Sequence, residues 1–222
     1  MTIHLHFLDA RASLTPLRAW ISDALLQTHA KAAQLLPLQP LDVVIQAGQQ
    51  VVPEKGLLGY APRPGLIHLT IDPGHPALLA NAQSSLERMF AHELHHAARW
   101  DGPGYGATLG EALVSEGLAG HFAQELLGGD PEPWETLDIL SMSETIALAL
   151  QMWSRDDHDH GAWFFGTGAL PRWVGYSLGY QMVGRYVRQV ESRTASGMVA
   201  LEAEALRNML AEMLALAQGR DR

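Results

Sequence analysis

The chain has 222 residues, of which 47% are hydrophobic and none is cysteine, and its formal net charge is -9. This apolar content is sufficient to bury the core of one compact domain. Without cysteine, disulfide bridges and thiolate metal sites are excluded, so a transition-metal site must be built from His, Asp and Glu. Basic stripes and runs of 18 apolar residues are both absent, so neither nucleic acid nor a membrane is an expected partner.

The first hundred residues show a mixture of strand and helix patterns. Residues 1–10 lack a basic region followed by an apolar core, so we expect no secretory signal and a cytoplasmic protein. Alternation or short apolar runs predict strands over 3–8, 41–46 and 65–71, and helical spacing predicts a helix over 17–36. The connection before the third strand contains Gly-Leu-Leu-Gly and Arg63-Pro64 and is predicted to form turns.

From residue 84 onward the pattern is helical. Three Ser/Thr-x-x-Glu sequences beginning at Ser84, Thr108 and Ser141 predict capping boxes, and Gly128-Gly129 predicts the end of the second helix. The predicted helices span 84–100, 108–127, 141–153, 172–190 and 198–217. We therefore expect an α+β fold in one domain over residues 1–222. It would have a small mixed sheet in an N-terminal lobe of about 1–100 and a helical lobe of about 101–222.

The most informative sequence lies on the first of these helices. Residues 92–96 read His-Glu-Leu-His-His, which is an H-E-x-x-H motif. Two imidazoles four residues apart project from one side of a helix, so His92 and His96 can bind a single zinc ion. Glu93 is placed to take a proton from the metal-bound water rather than to bind the metal. The alternative is an ordinary helix whose histidines are satisfied at the edge of its apolar face.

A zinc hydrolase needs a third protein ligand and leaves the fourth position for water. The extended motif H-E-x-x-H-x-x-G-x-x-H is absent, because Arg99 and Gly102 stand where Gly and His would be. The next helix offers three glutamates. Glu111 is explained by its capping box, and Glu125 lies on the opposite side of the helix. Glu116 falls in a stripe of small apolar residues that permits close helix approach, so it is the favoured ligand, with Glu111 as the alternative.

These motifs resemble those of the gluzincin metallopeptidases. The His-Glu-Leu-His-His sequence is followed after 18 residues by Ser-Glu-Gly-Leu-Ala at 115–119. The chain is most similar to the DUF2268 family of predicted zinc-dependent proteases, which also carries a later Gly-Tyr-x-x-Gly-Tyr helix, matched here by 175–180. The resemblance covers about residues 60–190 and implies a zincin-like fold with one zinc per chain. Many gluzincins have an acidic residue four positions after the third ligand, where this chain has Gly120.

Peptide hydrolysis also requires a donor for the developing oxyanion. In related gluzincins a Tyr or His of the C-terminal lobe does this, and the resemblance points to Tyr176 or Tyr180, which lie one turn apart. Tyr176 is favoured, and the alternative is a pair of core tyrosines with tethered hydroxyls. The next candidates are His158 and His160, although their run of His and Asp at 156–160 is expected to be a solvated loop.

Two expectations concern the surroundings of this site. His95 and His121 are expected to lie at the surface or behind the metal ligands, where they would contact the ligands without binding the metal. The strand predicted over 65–71 precedes the H-E-x-x-H helix, and it is expected to be the sheet edge to which a peptide adds as another strand.

The sequence therefore indicates a zinc-dependent peptidase, a hydrolase whose substrate is a peptide or protein. Glu93 would serve as general base, and Tyr176 or Tyr180 would assist. One alternative is a metal-dependent hydrolase of a non-peptide amide. Another is a metal- or peptide-binding module without turnover, but a purely structural metal site would not need Glu93.

Overall fold

The computed structural model describes residues 2–190 and 192–220. These residues form four strands and seven α-helices, and none of the helices is both long and apolar enough to cross a bilayer. The strands are β1 Ile3–Leu8, β2 Leu41–Ala47, β3 Leu57–Arg63 and β4 Leu66–Ile71. The helices are α1 Arg18–Ala32, α2 Pro76–Ala80, α3 Ser85–Trp100, α4 Leu109–Leu127, α5 Ser143–Met152, α6 Val174–Arg188 and α7 Arg207–Arg220. The expected α+β class, with a small mixed sheet and a helical lobe, is confirmed.

The sheet has the order β1-β2-β4-β3. Strands β1, β2 and β4 run parallel to one another, and β3 pairs antiparallel with β4. Alternating residues of β2 and β4 are buried, among them Val43, Ile45, Ile67 and Leu69. This period of two is the pattern of a strand with one face on the core, and the three predicted strands are confirmed within one residue.

Strand β3 corrects the prediction of turns before the third strand. Gly56, with φ +70°, turns the chain into it, and Leu57 and Ala61 point into the core. Pro62 is tolerated because an edge strand needs ladder hydrogen bonds on one side only. Gly59 and Pro62 interrupt the alternation of buried and exposed residues in β3, so the sequence pattern does not predict a strand here. The expectation that residues 65–71 form the edge of the sheet is also wrong, because β4 is internal and β3 forms the edge.

Helix α3 packs against α1 and β3 and is buried on most of its surface. Its predicted capping box is wrong, since Ser84 has φ 55° and its side chain makes no cap hydrogen bond. The Asn81 side chain takes that role. It accepts a hydrogen bond from the Leu86 N–H at 2.9 Å and donates to Glu87 at 3.0 Å. Asparagine tolerates the left-handed backbone found at this position, which explains why it caps here.

The second capping box is confirmed and the third is wrong. The Glu111 N–H donates to Thr108 Oγ1 at 3.3 Å, and the Glu111 carboxylate accepts from the Thr108 N–H at 2.9 Å. Ser141 instead donates to the Asp138 carbonyl at 2.7 Å, and α5 begins two residues later without a side-chain cap. Three other helices have bounds that differ from prediction by more than one residue. Helix α1 stops at Ala32, α6 is shorter at both ends, and α7 begins only at Arg207, after an extended residue at 202.

The chain divides into two compact units. The first contains the sheet, α1 to α3 and Phe122–Gly129, and the second contains Pro103–His121 and the chain from Asp130 onward. In the second unit, α4 and α6 touch through glycines. A Cβ on Gly117 would clash with the backbone of Gly179, and a Cβ on Gly179 would clash with the Leu113 carbonyl. The small residues of α4 therefore permit close packing against α6.

This packing predicts opposite outcomes for two Gly→Ala substitutions in helices. Gly117→Ala should lower the free energy of unfolding by about 1–3 kcal/mol, because backbone atoms must separate. Gly219→Ala, where a new Cβ meets no atom within 4 Å, should leave stability unchanged or raise it by up to ~1 kcal/mol. Denaturant unfolding of both variants measures the difference. Equal stabilities would contradict the close approach of α4 and α6.

Candidate metal centre

Helix α3 brings the two predicted histidine ligands together. The Nε2 atoms of His92 and His96 are 3.0 Å apart, and their ring centroids are 4.7 Å apart. His96 is buried and His92 is half-buried. A spacing of four residues advances the helix by about one turn, which places both imidazoles on one side.

Glu116 belongs to a group of three candidate ligands. One ligand atom from each of His92, His96 and Glu116 lies within 4.8 Å of the other two. The ligands of a tetrahedral zinc site lie about 3.3 Å from one another, and a separation of at most 4.8 Å makes these three residues candidates for one ion. Two imidazoles and one carboxylate also form the donor set of a catalytic zinc site that keeps a fourth position open.

The other two glutamates of α4 have different surroundings. The Glu111 carboxylate accepts hydrogen bonds from the Ala107 and Thr108 N–H groups at 2.8 and 2.9 Å, as expected of a residue at a helix start. Glu125 is exposed. Neither belongs to the group of three ligand atoms.

Glu93 lies inside the first unit, where strand β3 passes close to it. Its side chain is buried, and a Cβ on Gly59 would lie 2.5 Å from its Cγ and 2.8 Å from its Oε1. Only glycine lets the strand backbone approach this carboxylate so closely. The edge of the sheet therefore runs directly past Glu93. Sequence analysis missed this role of Gly59, because it placed the residue in a turn.

Tyr105 is a second residue that sequence analysis missed. Its hydroxyl donates a hydrogen bond of 2.6 Å to Oε1 of Glu116. Tyr105 lies between Gly104 and Gly106, which have φ values of +83° and +105°. Such a Gly-Tyr-Gly turn between two helices is a weak signal, and nothing in it identifies Glu116 as the partner.

His160 also lies near Glu116. Its ring stacks on Phe164 with centroids 4.4 Å apart, and it is 6.1 Å from the ring of Tyr105. Burial lowers the pKa of His160 below its ordinary value, while the negative charge of Glu116 acts in the opposite direction. The expectation of a solvated loop is correct for the exposed aspartates of 156–160 but wrong for His160, which is half-buried.

Comparison with known proteins identifies a family whose description, like the candidate ligands described above, refers to zinc. A family model described as "Predicted Zn-dependent protease (DUF2268)" matches residues 22–208, which is most of the chain. The chain belongs to the DUF2268 family. It is also 29% identical over 158 residues to an uncharacterized protein of Bacillus subtilis (strain 168), YjfC. That match covers 61% of this chain and 49% of the relative, so the chain spans about half the length of YjfC.

The Gly-Tyr-x-x-Gly-Tyr sequence of this DUF2268 protein lies on α6, where its glycines have a packing role. A Cβ on Gly175 would lie 2.8 Å from the ring of Phe164, and Gly179 lies against α4. The ring of Tyr176 packs edge-on against Phe164 at 5.0 Å. Tyr180 is nearly buried and stacks on His121 with centroids 3.9 Å apart.

The remaining histidine of the motif does not lie at the surface. His95 is fully buried, and its ring lies 5.5 Å from that of Phe122. Of the two places expected for His95, the surface is therefore excluded, and a place behind the metal ligands stays a prediction. His121 is half-buried, and its Nε2 lies 2.8 Å from the Tyr180 carbonyl oxygen.

A buried carboxylate occupies the space beside Gly120 of this DUF2268 chain. A Cβ at that position would clash with Oε1 of Glu135, which is only 4% exposed. The other oxygen of Glu135 accepts a hydrogen bond from the Glu132 N–H at 2.7 Å. Many gluzincins have an acidic side chain at the position of Gly120, and here a carboxylate from residue 135 lies next to that position. Sequence analysis missed it, because the carboxylate comes from 15 residues further along the chain.

The geometry predicts which substitutions weaken zinc binding. His92→Ala and Glu116→Ala should lower zinc affinity by more than the ~10–100-fold typical of losing an outer hydrogen-bond partner, since each removes a ligand. Glu125→Ala on the same helix should retain the wild-type affinity. Competition with a chromophoric chelator and elemental analysis measure this. Full zinc content in Glu116→Ala would remove Glu116 from the site and return Glu111 as the candidate.

Proposed function

We propose that this DUF2268 protein is a zinc-dependent peptidase of gluzincin type with a zincin-like fold in a single domain. The observation that carries this proposal is the placement of His92, His96 and Glu116 within 4.8 Å of one another. The family description supports zinc dependence and proteolysis. These three residues would hold one zinc ion, which when bound supplies a Lewis acid and lowers the pKa of water.

Glu93 is the proposed general base. It follows a ligand histidine directly, and its carboxylate is buried beside the edge of the sheet. In this position it takes a proton from the attacking water and later gives it to the leaving amine. A module that only bound metal would gain nothing from a buried carboxylate here, since burying one is costly. The residue thus favours an enzyme over a binding module.

Strand β3 is the proposed substrate platform. It is the edge of the sheet, and its residue Gly59 lies directly against Glu93. A peptide in extended conformation that paired with β3 would pass the general base. Trp100 holds this strand by donating a hydrogen bond of 2.8 Å from Nε1 to the Ala61 carbonyl, and Tyr60 is 63% exposed beside it. This edge favours a peptide or protein substrate over a small non-peptide amide.

Tyr176 is the proposed donor to the oxyanion, with Tyr180 as the alternative. Tyr176 is half-buried and shares the ring of Phe164 with His160, a residue close enough to Glu116 for their charges to interact. Tyr180 is only 9% exposed. These surroundings favour Tyr176, and they make His160 the third candidate.

The role of Glu93 can be tested by two substitutions that leave the zinc ligands intact. Glu93→Gln should retain zinc affinity and lower kcat for peptide hydrolysis by about 10²–10⁴-fold, because the base is lost. Gly59→Ala should also retain zinc and lower kcat, since the new Cβ displaces the Glu93 side chain. Kinetics on a peptide library, with and without chelator, measure both.

Gly74→Ala serves as the control for the second substitution, because its Cβ would have no atom nearer than 3.8 Å. It should match the wild type. A Glu93→Gln enzyme with a near-normal rate would overturn the mechanism, whatever its zinc content.

The oxyanion donor can be identified by Tyr→Phe substitutions. Tyr176→Phe removes one hydroxyl and little volume, so kcat should fall by roughly 10²–10³-fold with a small change in KM. Tyr180→Phe on the same helix is the matched comparison, and melting temperatures are recorded for both. Loss of kcat in Tyr180→Phe alone would reverse the assignment. Normal kcat in both variants would exclude the pair and leave His160.

A further inference from the structure

Tyr105 makes a direct hydrogen bond to the third candidate ligand. Its hydroxyl donates to Oε1 of Glu116 over 2.6 Å, a length typical of a hydroxyl bonded to an ionised carboxylate. Glu116 is only 7% exposed and lies in an apolar stretch of α4. A carboxylate in such a place is costly unless donors stabilise its charge. The Tyr105 hydroxyl is one such donor.

Hydrogen bonds fix both the segment that follows Tyr105 and the Tyr105 backbone itself. Before α4, the Glu111 carboxylate accepts hydrogen bonds from the Ala107 and Thr108 N–H groups, which fixes the segment that follows Tyr105. From within α4, Ser115 donates from its buried hydroxyl to the Tyr105 carbonyl at 2.7 Å. The backbone and the hydroxyl of Tyr105 are thus both bound to consecutive residues of α4. This arrangement holds the hydroxyl in one place relative to Glu116.

The bond leaves Glu116 able to bind a metal. A carboxylate has two oxygens and about four acceptor sites, so a tyrosine on Oε1 leaves lone pairs for an ion. The hydrogen bond also restricts rotation of the Glu116 side chain before a metal binds. Less conformational entropy is therefore lost when the metal binds. Carboxylates that bind metals are commonly held by hydrogen bonds of this kind, and those partners affect affinity strongly.

We propose that Tyr105 is the positioning residue of the third zinc ligand, and that Ser115 in turn positions Tyr105. The inference rests on the proposed metal site but names residues outside the ligand set and the general base. It predicts that the Tyr105 hydroxyl contributes to zinc affinity, which a ring that only packed beside His160 would not do.

The experiment measures zinc affinity of the full chain by competition with a chromophoric chelator, with Tyr105→Phe as the main variant. Its affinity should be about 10–100-fold weaker than that of the wild type. Tyr186→Phe is the matched control, because its ring packs with the guanidinium of Arg193 at 3.9 Å, and it should bind zinc normally. The visible absorption of the Co²⁺-loaded protein should change in Tyr105→Phe and not in Tyr186→Phe.

A double-substitution cycle tests whether Tyr105 acts through Glu116. In the Glu116→Gln background, adding Tyr105→Phe should weaken zinc binding little further, because the carboxylate that Tyr105 positions is gone. Ser115→Ala retains both the tyrosine and the ligand and should show a smaller loss than Tyr105→Phe. It also provides the test if Tyr105→Phe does not fold, which melting of the zinc-free proteins reveals.

Failures of the two proposals are distinguishable. Equal zinc affinity of the wild type and Glu116→Gln would remove Glu116 from the metal site and return Glu111 as the candidate ligand, so the proposed set of three ligands would be wrong. A weakened Glu116→Gln with Tyr105→Phe equal to Tyr186→Phe would overturn only the role of Tyr105. Additive losses in the double variant would do the same, because they would show that Tyr105 acts independently of Glu116.

Discussion

The burial of ionisable side chains on helix α3 is the constraint that organises the first unit. The residues concerned are 4% exposed or less and comprise Arg88, Glu93, His95, His96 and Arg99. Removing such groups from water is costly unless hydrogen bonds or opposite charges compensate. The surrounding elements supply such contacts, as when Arg88 donates to the Gly128 carbonyl at the end of α4. Helix α3 in isolation would expose these groups to water, so its buried position depends on the sheet, α1 and residues 122–129.

The same constraint recurs on α4 in the second unit. Glu116 is buried, and the Tyr105 hydroxyl donates to it. The neighbouring Gly117 serves a different purpose, because it lets the α6 backbone come into contact at Gly179. The stripe of small residues around Glu116 in the sequence is therefore explained by helix packing, and the hydrogen bond from Tyr105 is one interaction that compensates for the buried charge.

Two buried carboxylates with different surroundings suit the two roles of the proposed peptidase. Glu93 lies against the backbone of an edge strand, where an extended peptide could pair, and Glu116 is held by a phenolic hydroxyl. In the proposed site, environment rather than residue type would assign different chemistry to these two carboxylates. The neutral form of His160 is favoured by burial, which suits a hydrogen-bond donor or acceptor near Glu116.

The sequence alone determined the features that depend on local geometry. The 3.6-residue period of a helix brings His92 and His96 together, and the Thr108–Glu111 box marks the start of α4. It could not determine features that join distant parts of the chain. Strand β3 becomes an edge only through pairing with β4, and Gly59 matters only because it lies against α3. Contacts of this kind depend on how the elements pack, since propensity and period describe a segment and not its neighbours.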